Sequence, residues 1–159
     1  GQHPNLVKVM MEDIKDCTID FTITDGGRTV AMQQALYAKG RTKLFDEKGH
    51  RLGVVTNAAA GYSCHNYGLA LDIVLLVDND KNGTKEAASW DTVKDFDKDG
   101  KADWMEVLEI FKKNGWVLGK DFKSIPDAPH VEKVFGYTVK QLLELKNSGK
   151  VDKEGYVNI

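Results

Sequence analysis

The sequence contains very little cysteine, since only Cys17 and Cys64 occur among its 159 residues. Two cysteines are too few for a disulfide framework, and these two do not form a CxxC pair. A single bridge between them stays open, and the redox compartment is undecided. Hydrophobic residues make up 42% of the chain, which is enough apolar material for the core of a globular protein.

The sequence also lacks an excess of charge of either sign and lacks a long apolar run. The formal net charge is −2, with basic and acidic residues interspersed. No basic stripe is present to neutralise a phosphate backbone or to dock on an anionic membrane. The longest apolar run, residues 69–77, is interrupted by Asp72 and is far shorter than the about 20 residues that span a bilayer. We therefore expect neither nucleic-acid binding nor membrane insertion.

The length suits one compact domain, so we predict a single domain over residues 1–159. Helical and alternating patterns are mixed along it, which predicts the α+β class. Between residues 85 and 114, two helical patterns flank an acidic loop, and a short strand is possible at residues 52–55. The other predicted helices cover residues 4–17, 29–39 and 138–145, and the predicted strands or extended segments cover residues 19–23, 69–77, 116–117 and 130–135.

Asp72 is the most informative residue, because it interrupts the best apolar strand on the same face as Ala70 and Val74. Burying an unpaired ionised carboxylate costs several kcal/mol, of the order of 5 or more, even after relaxation. Asp72 therefore needs a cation, a metal or convergent hydrogen-bond donors. The small side chain of Ala70 leaves space beside it.

Two histidines are candidate partners of Asp72. His65 precedes it by seven residues, and a glycine-containing turn can fold the imidazole back over the strand. His130 is the natural third ligand, since His3 lies near a terminus and His50 lies in a loop rich in lysine and glycine. Two imidazoles and one carboxylate leave a tetrahedral position open, as in catalytic zinc sites. Taken alone, each histidine is more often a structural residue than a ligand.

Asp127 lies three residues before His130, and the intervening Ala128-Pro129 is an extended dipeptide that can aim both side chains into one cleft. A carboxylate within reach of a zinc-activated water can take its proton and pass it to a leaving amine. Asp127 is therefore the candidate general base for peptide hydrolysis. The alternative is an aspartate that starts a turn before the proline.

A second metal signal lies at residues 95–106, which fit the EF-hand spacing D-x-D-x-D-G-x5-E. The alternative is a solvated acidic turn. Residues 78–83 repeat the first half of the pattern, but Ser89 stands where the closing glutamate belongs, so we interpret that segment as a turn. The predicted calcium ligands of the first loop are Asp95, Asp97, Asp99, the carbonyl of Lys101, Asp103 and Glu106.

Residues 63–72, SCHNYGLALD, resemble the SxHxxGxAxD motif of the D-Ala-D-Ala carboxypeptidase/VanY-type zinc peptidases, peptidase family M15. Residues 127–130 are similar to the second motif of that family, and the resemblance covers roughly residues 3–136. It implies a Hedgehog/D-Ala-D-Ala peptidase-like fold, in which a small antiparallel sheet with flanking helices carries the zinc site. It also implies that Arg28 helps to position substrate carboxylates, and we add Gln33 and Ser63 as candidate substrate contacts.

The aspartate at position 127, in place of glutamate in a Glu-x-Trp-His arrangement, is more similar to L-alanyl-D-glutamate endopeptidases of phage endolysins and wall hydrolases. The resemblance thus implies a zinc peptidase that cuts this bond of peptidoglycan, with the calcium loop regulating or bracing the zinc site, as in some phage members. Two alternatives stay open. One is a D,D- or L,D-carboxypeptidase of the same family, and the other is a non-catalytic, metal-stabilised binding module like the Hedgehog-like relatives.

The expected partner is bacterial peptidoglycan, and we expect the protein to act on it as a monomer. Its expected place of action is the bacterial cell wall. The protein would be made in the host cytoplasm if it comes from a phage and would be secreted if it comes from a bacterium.

Overall fold

The computed structural model describes all residues, Gly1–Ile159, and it contains four α-helices and five β-strands. No helix has the length and the apolar composition that crossing a membrane requires. Both cysteines are free. The α+β class predicted from the sequence is confirmed. The elements in chain order are α1 Pro4–Asp13, β1 Phe21–Asp25, α2 Val30–Ala38, β2 Ala70–Val77, β3 Ala87–Ser89, α3 Asp103–Lys113, β4 Val117–Leu118, β5 His130–Glu132 and α4 Val139–Asn147.

The chain forms two compact units. The first consists of Gly1–His3, Gly27–Leu69 and Val134–Ile159, and the second consists of Pro4–Gly26 and Ala70–Lys133. The prediction of one domain over residues 1–159 stays a prediction.

The second unit contains the whole antiparallel sheet, in the order β1-β2-β5-β4, with β3 paired to the far end of β2. Strand β2 is buried on both faces, because side chains that point to opposite sides, such as Leu71 and Val74, are both excluded from solvent. This explains its nearly continuous apolar sequence. The central position predicted for this strand is confirmed.

Helix α3 packs an apolar stripe into the second unit. Its buried residues recur at helical spacing: Trp104, Val107, Leu108 and Phe111. The ring of Phe111 meets Phe21 of β1 and Trp116, with centroid distances of 5.8 and 5.0 Å. The indole nitrogen of Trp116 donates to the buried carboxylate of Asp13 at 2.7 Å, so α1, α3 and the start of β4 share one core.

The first unit is built around two capped helices and a turn. Thr29 caps α2 by accepting a hydrogen bond from the backbone N–H of Met32, and Thr138 and Gln141 form a capping box at the start of α4. The turn is a short 3-10 helix, Cys64–Tyr67, that ends at Gly68. Gly68 has φ +67°, and a Cβ on it would lie 2.6 Å from the backbone nitrogen of His3, so a side chain is excluded there.

Two predicted elements were wrong. The helical pattern before the acidic loop does not form a helix, because residues 87–89 pair with residues 75–77 of β2 as β3. Residues 52–55 form no strand, and that part of the chain has only an isolated bridge between Phe45 and Arg51. In both segments pairing with distant residues, which the local pattern does not encode, decides the conformation.

Candidate active site

Asp72 and His130 lie opposite each other on the paired strands β2 and β5. The Nδ1 atom of His130 is 3.3 Å from the Oδ1 atom of Asp72, and the imidazole side chain is only 9% exposed. The ring packs beside Phe122, with a centroid distance of 5.4 Å. Gly119 gives it room, since a Cβ there would lie 2.6 Å from the Cβ of His130. The partner that Asp72 requires is therefore a histidine of the predicted ligand set.

The second nitrogen of His130 also faces a carboxylate. Its Nε2 atom is 2.9 Å from the Oε2 atom of Glu132 on the same strand. Burial acts to lower the pKa of His130, but the hydrogen bonds with Asp72 and Glu132 outweigh it and raise this pKa to about 9. The two carboxylates around His130 therefore stabilise positive charge at this position. Sequence reasoning missed Glu132, although strand alternation places it on the same face as His130.

His65 lies in the short 3-10 helix of the first unit, five residues before the start of β2. Its side chain is buried, and its backbone oxygen accepts hydrogen bonds from the N–H groups of Arg28 at 2.8 Å and of Gly68 at 3.2 Å. Asp72 and His130 lie together in the second unit, and His65 is the third residue of the predicted His-Asp-His ligand set. Two imidazoles and one carboxylate are the donor chemistry of catalytic zinc.

Asp127 lies in an exposed turn of the second unit, with its backbone fixed on both sides. Its N–H donates to the oxygen of Gly119 at 2.9 Å, and its own oxygen accepts from the N–H of His130 at 3.2 Å. The neighbouring Pro129 accepts from the N–H of Ile73 in β2 at 3.1 Å. The turn that carries Asp127 is thus anchored to the strands that carry Asp72 and His130. Its role as general base stays a prediction.

Arg28 and Gln33 are brought together in the first unit. The Nη1 atom of Arg28 donates to the Oε1 atom of Gln33 at 3.0 Å, and Gln33 donates in turn to the oxygen of Ala58 at 2.7 Å. Gln33 is 0% exposed. The buried amide thus contacts the guanidinium of Arg28, and the predicted contact of Gln33 with substrate stays a prediction.

A cavity of about 320 Å³ lies in the first unit, and its walls include Arg28, His65, Lys146 and Tyr156. The Nζ atom of Lys146, on α4, donates to the backbone oxygen of Asn66 at 3.2 Å. Arg28 and Lys146 bring two positive charges to this cavity and Glu154 brings one carboxylate, so a carboxylate ligand would bind on the side of the two cations. No pattern in the sequence pointed to Lys146. Ser63 is buried just before the 3-10 helix, and its predicted substrate contact stays a prediction.

The acidic loop at residues 95–106 gathers the carboxylates predicted to bind calcium. Donor oxygens of Asp95, Asp97 and Asp99 lie within 4.8 Å of one another, as do those of Asp97, Asp103 and Glu106. Gly100 has φ +97°, a left-handed conformation that glycine adopts without strain. Its N–H donates to the Oδ2 atom of Asp95 at 2.9 Å.

Glu106 lies on α3 at the closing position of this loop. Its Oε2 atom is buried without a hydrogen-bond partner. Burial, the largest cause, and the charges of Asp99 and Asp97 raise the pKa of this carboxyl. A buried carboxylate oxygen without a partner is costly, and a bound cation would remove that cost. The loop therefore fits a divalent metal.

One known protein family matches the part of the chain that carries the site. Residues 56–133 match the family model described as D-alanyl-D-alanine carboxypeptidase, a family of M15 peptidases. The matched segment contains Asp72, His130 and the other predicted zinc ligand and base, so this part of the chain is similar to that peptidase family. The resemblance inferred from the sequence is confirmed.

Two similar proteins have more specific names. The chain is 43% identical over 116 residues to the peptidoglycan L-alanyl-D-glutamate endopeptidase CwlK of Bacillus subtilis, and the match covers 73% of this chain and 62% of CwlK. The chain thus spans less than two thirds of that relative. The fold is similar to the crystal structure of the L-Ala D-Glu endopeptidase ChiX of Serratia marcescens, with a TM-score of 0.50, 20% identity and coverage of 85% and 82% of the two chains.

Proposed function

We propose that this protein is a zinc-dependent endopeptidase that hydrolyses the bond between L-alanine and D-glutamate in the stem peptides of peptidoglycan. The pairing of Asp72 with His130 at 3.3 Å, within a segment that matches a peptidase family, is the observation that carries the proposal. The identity to CwlK supports the choice of bond, because that relative is named for it.

We propose His65, Asp72 and His130 as the zinc ligands. The residues fit the metal in their chemistry, since neutral imidazole nitrogens and a carboxylate oxygen are ligands that zinc prefers. Three protein ligands leave the fourth coordination position to water or substrate. In a structural zinc site, a fourth protein ligand would occupy that position. Zinc at this position would supply a Lewis acid that polarises the scissile carbonyl and makes water more acidic.

Asp127 is the proposed general base. It removes a proton from the water that attacks the carbonyl carbon of L-alanine and delivers a proton to the nitrogen of D-glutamate as the C–N bond breaks. The water oxygen is retained in the new carboxylate of alanine, and the products are a carboxylate and an amine. The backbone hydrogen bonds to Gly119 and His130 support this role, because they fix the turn from which the carboxylate projects.

Arg28 is the proposed contact for a carboxylate of the substrate. A planar guanidinium can bind a carboxylate through two parallel hydrogen bonds, and D-glutamate in the stem peptide carries free carboxyl or amide groups. Gln33 holds Arg28 from the buried side, and Lys146 adds a second positive charge to the cavity. Ser63 is proposed as a further polar contact.

We also propose that the loop at residues 95–106 binds calcium and thereby braces the second unit. The unpartnered Oε2 atom of Glu106 supports this proposal. In the EF-hand pattern, the closing glutamate at position 12 is a bidentate ligand, and the carbonyl of Lys101 occupies position 7. Bound calcium would tie the loop to the first turn of α3, where Asp103 and Glu106 lie.

The test of the bond is digestion of purified peptidoglycan with the zinc-loaded protein, followed by mass spectrometry of the fragments. Glycan strands that keep L-alanine, together with peptides that begin with D-glutamate, are the expected products. Release of D-alanine alone would establish the carboxypeptidase alternative. A binding module would release no new amine, and its Asp127→Ala variant would bind wall fragments as well as the parent does.

The proposed place of action is the bacterial cell wall, and the proposed active form is a monomer. Light scattering during gel filtration, at the concentration used in the digest, tests the second point. A mass near the 17.7 kDa of one chain is expected. A mass of twice that value in the active fraction would contradict it.

A further inference from the structure

His130 is held between two carboxylates that come from different strands. Asp72 on β2 approaches the Nδ1 atom at 3.3 Å, and Glu132 on β5 approaches the Nε2 atom at 2.9 Å. The two nitrogens are separated by one ring carbon, and their hydrogen-bonding directions diverge in the plane of the ring. An imidazole that binds a metal through one nitrogen carries its proton on the other, and a hydrogen bond from that N–H selects the tautomer.

The proposed zinc site indicates which nitrogen binds the metal and which nitrogen carries the proton. Asp72 is itself a proposed ligand, so the nitrogen that approaches it, Nδ1, is on the metal side of the ring. Nε2 then carries the proton, and its partner is the carboxylate of Glu132. An N–H donated to a carboxylate also makes the imidazole a more basic ligand.

The position of Glu132 is fixed by the sheet. Its backbone is paired with Ala70 of β2 on one side and with Val117 of β4 on the other, so β5 cannot shift by one residue without losing both ladders. Two residues along a strand share a face, which is why the side chains of His130 and Glu132 meet. The Glu132 side chain is 18% exposed, so water competes weakly for this hydrogen bond.

We propose that Glu132 is a positioning residue that holds His130 in the Nε2–H tautomer, with Nδ1 directed to the metal. This inference rests on the proposed zinc site and adds to it a carboxylate–histidine–metal relay. Glu132 does not touch the substrate or the metal in this proposal. It acts through the orientation and basicity of one ligand.

Two substitutions of Glu132 separate its effects. Glu132→Ala removes the acceptor, and zinc affinity, measured by competition with a chromophoric chelator, should fall about 10- to 100-fold. Glu132→Gln keeps an oxygen that can accept from Nε2–H but removes the charge, so it should retain most of the affinity. Glu109→Ala is the matched control, because this glutamate is exposed on α3 of the same unit. Its zinc affinity should equal that of the parent.

Nitrogen-15 NMR of the zinc-loaded protein gives a readout that is independent of activity. The parent and Glu132→Gln should show a slowly exchanging Nε2–H on His130, whereas Glu132→Ala should lose that proton signal to exchange with water. Circular dichroism of the metal-free variants checks that they fold. If Glu132→Ala fails to fold, the comparison of Glu132→Gln with the parent still decides, because a tautomer with the proton on Nδ1 in either protein overturns the inference.

Failure of the proposed zinc site and failure of the proposed role of Glu132 give different results. A parent protein that binds no zinc contradicts the proposed function itself. A parent that binds zinc tightly, together with a folded Glu132→Ala variant whose affinity is within about twofold of it, contradicts only the role of Glu132, because loss of such a partner costs about tenfold or more.

Discussion

The side-chain amide of Asn66 donates to the backbone oxygen of Arg28 at 2.9 Å, next to the hydrogen bond by which the N–H of Arg28 reaches the oxygen of His65 at 2.8 Å. The same amide nitrogen lies 3.3 Å from the oxygen of Thr29, and its carbonyl accepts from the N–H of Gly61 at 3.0 Å. One buried side chain thus joins the proposed substrate arginine to the segment that carries a proposed zinc ligand.

Asn66→Ala should therefore destabilise the protein and weaken substrate binding. Deleting the amide removes a hydrogen bond from the half-buried Arg28 and takes the acceptor from the N–H of the buried Gly61, a loss worth about 1–3 kcal/mol. Urea unfolding should show this decrease in the free energy of unfolding. Steady-state kinetics should show an increase in KM, since Arg28 loses one of the hydrogen bonds that hold its backbone.

The matched control is Asn158→Ala, because this asparagine is exposed in the same unit. It should change the free energy of unfolding by less than about 0.5 kcal/mol, as surface substitutions commonly do. An Asn66→Ala variant as stable as this control would contradict the structural role of Asn66.

The proposed zinc ligands could be inferred from the sequence because their signals are local. His65 and Asp72 lie within one ten-residue motif, and Asp127 and His130 lie within one four-residue motif. The buried strand that carries Asp72 is long and strongly apolar, so its pattern was unambiguous. The proposed calcium loop was likewise inferred from a continuous spacing of twelve residues.

The supporting residues could not be predicted in the same way, because contacts distant in sequence define them. Lys146 is 80 positions from Asn66, whose oxygen accepts its hydrogen bond, and Gln33 is 25 positions from Ala58. Residues 87–89 form a strand because β2 offers free backbone groups there, which local helical propensity does not reveal. Glu132 is the exception, since the period-2 rule for strands could have placed it beside His130, although it was not predicted.

Asp127→Asn should abolish most of the catalysis while leaving the metal site intact. An amide cannot accept the proton of the attacking water, and loss of a general base typically costs about 10²- to 10⁴-fold in rate. The decrease should appear in kcat, measured on soluble stem-peptide fragments. Zinc affinity should stay within about threefold of the parent, because Asp127 is not a proposed ligand. A variant that loses zinc and activity together would instead identify Asp127 as part of the metal site.

The chelator-treated protein should lose stability as the pH rises from about 6.5 to about 9. The pKa of His130 is raised from 6.5 to about 9 by its two carboxylates, so its stabilising charge is fully present below pH 6.5 and disappears through the folded-state value. Zinc must displace that proton. The apparent zinc affinity should therefore rise by about tenfold per pH unit, up to about pH 9, for this one proton.

Chelator competition at several pH values measures this slope, with the pH dependence of the chelator itself subtracted. His50→Ala is the matched control, because His50 is exposed in a loop where it pairs with Asp46 at 3.0 Å. The control should keep the slope of the parent. A zinc affinity that is constant between about pH 6.5 and 8.5 is incompatible with a proton on His130 over that range.

Calcium should raise the melting temperature of the parent protein more at pH 7 than at pH 5. Burial, together with Asp99 and Asp97, raises the pKa of Glu106 above its ordinary 4.5. At pH 5 protons therefore compete with calcium for the Glu106 carboxylate more than at pH 7. Without calcium, the raised pKa of Glu106 stabilises the folded state below pH 4.5. This stabilisation is lost as the pH rises through the raised folded-state pKa. Bound calcium reverses that cost, because it stabilises the folded state by mass action.

Glu106→Gln should decrease the calcium-induced shift of the melting temperature, because the closing bidentate carboxylate of the loop is lost. Asp78→Asn is the matched control. Asp78 accepts from the N–H of Gly83 at 2.9 Å in a loop of similar sequence whose closing position is Ser89, so the control should respond to calcium as the parent does. Equal calcium responses in Glu106→Gln and the parent would show that the loop is a solvated turn, since the unpartnered oxygen of Glu106 would then have no metal to bind.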